Sequence, residues 1–143
     1  MKIVVSACLM GESCKYNGLD HYHRALVEAC ERTGTEVLLV CPEVFGGLPT
    51  PRKPSEIVNG EVRTCEGISV DREFRLGAQR ALDMCEQAGG PSEIAACVLQ
   101  DRSPSCGAGR IYDGTFSGTL TAGNGVFVDL LLRHGYRVIP AIE

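Results

Sequence analysis

An α/β fold, a single-domain three-layer sandwich around a mostly parallel, Rossmann-like sheet with an added β-hairpin, is predicted by the order of patterns along this 143-residue chain. Short β-branched apolar runs alternate with amphipathic helix patterns, which is the signature of helices packed on both faces of a parallel sheet. A separate Asp-Gly signal predicts the hairpin. In such folds ligands bind beyond the carboxyl ends of the strands.

Residues 2–7 and 36–41 read as buried strands. Between them residues 22–33 form a helix, with Leu26 and Cys30 four apart and Gly34 as its stop. Residues 9–21 make a long first loop, and long loops in compact domains are often functional. Residues 42–70 are irregular, with Gly46-Gly47, Pro49, Pro51 and Pro54, then a weak strand or turn near Ile57–Arg63. Asp71 is the expected cap of a helix to Ala88, whose face carries Phe74, Ala78, Ala81, Leu82 and Cys85. Residues 94–100 are the third strand. In Ile111–Phe116 the Asp113-Gly114 pair suits the positive φ angles of a type I′ turn. Asn124 is the expected cap of a helix over 125–134, and residues 136–140 supply the last strand.

The composition excludes several classes. A 44% hydrophobic fraction is ordinary for a globular protein, and no run approaches the ~18 apolar residues of a membrane span. The opening Met1-Lys2-Ile3-Val4-Val5 enters a strand pattern without a signal peptide's apolar core, so a cytoplasmic location is expected. Structural disulfides are uncommon there, so the eight cysteines call for another explanation. A net charge of −4 gives no footprint for long nucleic acids. Oligomeric state is not legible in the sequence.

The cysteines sort by context. Cys30, Cys85 and Cys97 lie on apolar faces and read as core. Cys65 sits in a polar turn, and Cys14 stands in the first loop, with five residues between it and Cys8. Cys8, Cys41 and Cys106 each follow a strand or its short loop, so a parallel sheet gathers them at one edge. Three thiolates suit a soft metal centre with one coordination position open.

In order along the chain stand Ser6-Ala7-Cys8-Leu9-Met10-Gly11, Cys41-Pro42-Glu43-Val44-Phe45-Gly46-Gly47-Leu48-Pro49-Thr50-Pro51-Arg52, Phe74-Arg75-Leu76-Gly77-Ala78, Ser103-Pro104-Ser105-Cys106-Gly107 and Ile111–Gly118. This set resembles the thiouracil desulfidase family, first catalogued as a bacterial domain of unknown function, over essentially the whole chain. The resemblance implies a [4Fe-4S] cluster held by Cys8, Cys41 and Cys106. It also implies removal of sulfur from a small thiolated pyrimidine without net redox change. A catalytic glutamate maps to Glu43, and a catalytic serine to Ser103, with Ser105 in reserve.

Glu43 is then the expected general base for water. Gly46 and Gly47 can bring backbone close to a ligand or simply make a turn. Lys15, Arg52 and Lys53 are candidate cations for a nucleotide phosphate, and Tyr16 is a candidate stacking platform. His21 and His23 read as surface or capping residues. Two other readings use the same thiols: a non-enzymatic iron–sulfur or sulfur carrier, which needs no base, and a zinc hydrolase with three cysteine ligands.

Overall fold

The structure, a computed structural model, describes residues 1–142. The chain runs β1 (Lys2–Ser6), α1 (Arg24–Thr33), β2 (Glu36–Val40), α2 (Pro42–Phe45), β3 (Ser55–Val58), β4 (Glu61–Thr64), α3 (Asp71–Gln87), β5 (Ile94–Gln100), β6 (Arg110–Tyr112), β7 (Leu120–Ala122), α4 (Val126–Arg133) and β8 (Val138–Ala141). Four strands form one parallel sheet in the order β2-β1-β5-β8. No described helix is long and apolar enough to cross a membrane.

Alternation along β1 explains the layers. Val4 packs with Val40, Cys97 and Leu99 against Phe74, Ala78, Leu82 and Cys85 of α3 and Phe127 and Leu131 of α4. Ile3 and Val5 point to the opposite face, where Cys30 and Leu26 of α1 cover them. Successive strand side chains alternate faces, so a sheet with apolar residues at every position must be covered twice. Cys30, Cys85 and Cys97 are buried in this core, as their sequence context predicts.

Several local expectations are corrected. Asp71 does not cap α3. It is the first helical residue, and its carboxylate accepts from Val62 N and Arg75 Nε, joining the helix to β4. Asn124 does not cap α4 either, because Gly125 holds that position and Asn124 Oδ1 accepts from Gly109 N. The hairpin at Ile111 exists as β6–β7, but residues 113–119 connect it in place of a tight turn. Asp113 N bonds Thr119 O, and Gly114 N is drawn away to Glu56. The stretch 42–70, read as irregular, holds α2 and a second hairpin, β3–β4. That hairpin turns at Asn59 (φ 50°) and Gly60 (φ 79°), the pairing a two-residue turn favours.

One packing contact positions the site. A Cβ on Gly77 would lie 1.7 Å from Pro42 O, and one on Gly46 would lie 2.0 Å from Glu73 O. Helices α2 and α3 therefore meet backbone to backbone, which fixes Pro42 and Glu43 against the core. Gly77→Ala should force them apart and cost at least ~2 kcal/mol, within the range for overpacking a close contact. A fall in the urea midpoint at unchanged slope checks this.

Candidate metal centre and active site

The carboxyl ends of β1, β2 and β5 open into a cavity of about 500 Å³ lined by Cys8, Cys41 and Cys106. Each thiol sits where its strand has just stopped. Cys8 lies in the single 3-10 turn Ala7–Met10, and Cys41 is the residue before α2. Cys106 closes the turn after β5, donating its N–H to Ser103 Oγ at 2.8 Å. That turn is held from behind by the start of α4. Val126 N bonds Pro104 O at 2.8 Å and Phe127 N bonds Ser105 O at 3.0 Å, so the helix's first free N–H groups are satisfied by the turn. A Cβ on Gly125 would lie 2.4 Å from Ser105 O, so only glycine admits this approach.

Glu43, in the first turn of α2, projects into the same cavity. Its Oε1 accepts from Arg52 Nε at 3.1 Å and its Oε2 accepts from Ser105 Oγ at 2.8 Å. Ser105 Oγ lies 2.9 Å from Ser103 Oγ, which already accepts the N–H groups of Ser105 and Cys106. The Ser103 proton is thus directed to Ser105 and the Ser105 proton to Glu43. Ser105, 3% exposed, is the hydroxyl on the carboxylate, and Ser103 stands one step behind it.

Arg52 lines the cavity but spends its guanidinium on the protein. Besides Glu43 it donates to Pro49 O, Thr50 Oγ1 and, at 2.8 Å, Cys14 O. Its own N–H bonds Tyr16 O, so the first loop is fastened to the 49–54 segment. Lys15, Tyr16 and His21 of that loop line the cavity, whereas Lys53 pairs with Glu66 outside it. Gly46 and Gly47 do not line it; the close approach of Gly46 is to α3. His23 caps α1, accepting from Leu26 N.

Cys14 stands beside the gathered thiols, within hydrogen-bond reach of both Cys8 and Cys41. The bond with Cys41 pulls its pKa down, but the bond with Cys8 and burial push it to about 11. The bond with Cys14 and burial raise the Cys41 thiol further. Burial pushes Cys106 up to about 12 against the pull of a hydrogen bond from Ser6. Ser6, whose Oγ also accepts from Gln100 N, is a site residue that sequence reasoning passed over. Its signals were a polar residue at the end of an apolar strand and its place at the head of the Cys8 motif. Glu56 was missed too, and Asp101 with its Arg110 partner, all three coming from segments without a motif for the site.

A family model described as 2-thiouracil desulfurase matches residues 3–143. The chain belongs to the 2-thiouracil desulfurase family. An uncharacterized protein of Bacillus subtilis (strain 168), YbbK, is 36% identical, with 99% of this chain and 96% of that protein aligned. A solved structure described as the [4Fe-4S]-dependent thiouracil desulfidase TudS superposes with a TM-score of 0.88 at 44% identity, over 97% of this chain and 89% of that one.

In this desulfurase-family chain the Glu43–Arg52 pair is mostly buried, with side-chain exposures of 16% and 8%. Removing one partner strands the other charge. Arg52→Met should destabilise the metal-free protein by ~2–3 kcal/mol, somewhat under the cost for a fully buried pair. Arg52→Lys should recover only part, because an ammonium cannot reproduce the fork. Urea unfolding of the three proteins checks both.

Proposed function

We propose that this chain is a [4Fe-4S]-dependent thiouracil desulfidase, converting a small thiolated uracil and water to uracil, hydrosulfide and a proton. The observation that carries it is the convergence of Cys8, Cys41 and Cys106 on one cavity that also receives the Glu43–Ser105 pair. The family and its TudS relative support the same activity. Hydrolysis of C=S by water balances without an electron donor. The substrate is a small thiolated pyrimidine and no long nucleic acid, and the working compartment is the cytoplasm.

The residues suit the cluster by chemistry. Three soft thiols on three separate strand ends surround a cavity, and hydroxyls of Ser6 and Ser105 approach the Cys106 sulfur. Hydrogen bonds to ligating sulfurs are one means by which proteins tune such centres. Among the described residues no three His, Cys, Asp or Glu side chains converge as tightly as a single ion requires. Cys8, Cys41 and Cys106 would hold the cluster, which when bound supplies a Lewis-acidic iron with an open position and a preference for sulfur.

The chain's own groups supply the rest. Glu43 takes a proton from the attacking water. Arg52 on Oε1 and Ser105 on Oε2 together fix the carboxylate's orientation. Once protonated, Glu43 can return its proton toward the departing sulfur through Ser105, which Ser103 keeps oriented. A carrier protein has no use for this arrangement, so the base and its two supports favour the enzyme.

Anaerobically prepared protein should hold about four irons and four acid-labile sulfides per chain, and Cys8→Ser, Cys41→Ser and Cys106→Ser should each lose them. Glu43→Gln should keep the cluster but lower kcat for thiouracil by about 10²-fold or more. Ser105→Ala should cost more than Ser103→Ala. Full activity in Glu43→Gln, or zinc in place of iron, would sink the mechanism.

Loading should depend on pH in a defined direction. The Cys106 pKa near 12 means the thiol is protonated at neutrality, so binding metal must release its proton. Iron uptake on reconstitution should therefore weaken as pH falls from about 8.5 to about 6.5. The sign for the metal-free fold is the opposite: with its thiol raised by burial, the folded state is favoured below the ordinary value of 9.0, and that contribution is lost as pH climbs toward 12.

A further inference from the structure

Two carboxylates besides Glu43 line the cavity and are largely buried: Asp101 at 7% exposure and Glu56 at 8%. Asp101 is neutralised by Arg110. Glu56 has no cationic partner among the described residues. It stands on β3, and its Oε1 accepts two backbone N–H groups, from Gly114 at 2.9 Å and Phe116 at 3.1 Å. Neither bond uses Oε2. Oε2 accepts nothing from the protein yet is not sealed from solvent, so on a cavity wall it is open to a ligand donor.

We propose that Glu56 is a specificity residue, its Oε2 accepting a hydrogen bond from a ring N–H of the pyrimidine. This rests on the function proposed above and names how the same cavity recognises its substrate. Uracil and thiouracil carry N–H donors at ring positions 1 and 3, so an acceptor without a proton of its own suits them. Glu56 also shapes the wall around that contact. The two amides it binds belong to residues with positive φ, Gly114 at 91° and Phe116 at 57°. Phe116 is held in this unfavoured conformation with its side chain lining the cavity. A Cβ on Gly114 would lie 2.6 Å from Ile57 O, so hairpins β3–β4 and β6–β7 meet backbone to backbone at this point. One side of the cavity thus offers an acceptor fixed beside an aromatic ring, matched to a flat heterocycle with N–H edges.

A purely structural strut would need only Oε1, and Glu56→Gln retains one carbonyl oxygen for it. The ligand-binding role needs Oε2. The test uses cluster-loaded enzyme and compares wild type with Glu56→Gln for the product uracil and for 1,3-dimethyluracil, which has no ring N–H. Glu56→Gln should weaken uracil binding and raise KM for thiouracil about tenfold, as for loss of a hydrogen bond to a charged group, with a smaller change in kcat. Dimethyluracil should bind both proteins equally weakly. Amide exchange should show Gly114 and Phe116 still protected in Glu56→Gln and exposed in Glu56→Ala. Unchanged uracil binding in Glu56→Gln, an equal loss for both ligands, or wild-type binding of dimethyluracil as tight as uracil would each overturn the proposal while leaving the desulfidase reading intact. A loaded wild-type enzyme that desulfurates no thiouracil would bring both down.

Discussion

The Glu43 carboxylate is the point at which otherwise separate pieces of chain are held together. One oxygen is bound by Arg52 and the other by Ser105. Arg52 in turn ties down the Cys14 carbonyl, Pro49 and Thr50, and Ser105 belongs to the turn that ends in Cys106. None of these loops has a hydrophobic core of its own. The strands bring their ends to one edge of the sheet, but polar contacts decide where the side chains point once each strand has ended. Such contacts are modest singly and strong as a closed network, where losing any member leaves another unsatisfied.

Rigidity beneath this network comes from backbone contact. Gly46 and Gly77 let α2 sit directly on α3, and Gly125 lets α4 press its first amides on the Ser103–Cys106 turn. Both short segments are thereby seated on helices whose apolar faces are buried in the core. Catalytic geometry tolerates little looseness, and groups on short turns are precise only when something stiff supports them. The glycines here serve approach distance. At Gly46, φ is −78°, a value open to any residue, and only the Glu73 carbonyl excludes a side chain.

Much of this was legible in the sequence, for a definite reason. Apolar runs such as Ile3–Val5 and the Phe74–Cys85 face report burial directly, so the layers and the parallel order follow from pattern alone. Parallel order then gathers Cys8, Cys41 and Cys106 without further information. What escaped depends on contacts between residues far apart in the chain. Asp71 looks like a cap until β4 supplies Val62 N, and Asp113-Gly114 looks like a tight turn until Glu56, 58 residues away, claims the glycine's amide. Arg52 has the chemistry of a phosphate binder, but the carboxylate and carbonyls around it use its donors. Local propensity cannot report such competition, because the competing partner is absent from the local window.

Electrostatics gives the arrangement its logic. Glu43 lies close enough to Cys41 and Cys106 that its charge raises both thiols, as neighbouring thiols do to one another. Gathering thiolates and a carboxylate in one partly dry cavity is self-opposing, and each additional negative charge makes the next harder to form. A metal centre resolves the conflict for the thiols. Glu43 needs its own counter-charge, and Arg52 supplies it from a side chain 8% exposed, where salt and water screen little. On this account Arg52 matters to the chemistry although every donor it uses is spent on protein. It sets a positive charge against the Glu43 carboxylate and fixes that carboxylate's orientation beside the gathered thiols.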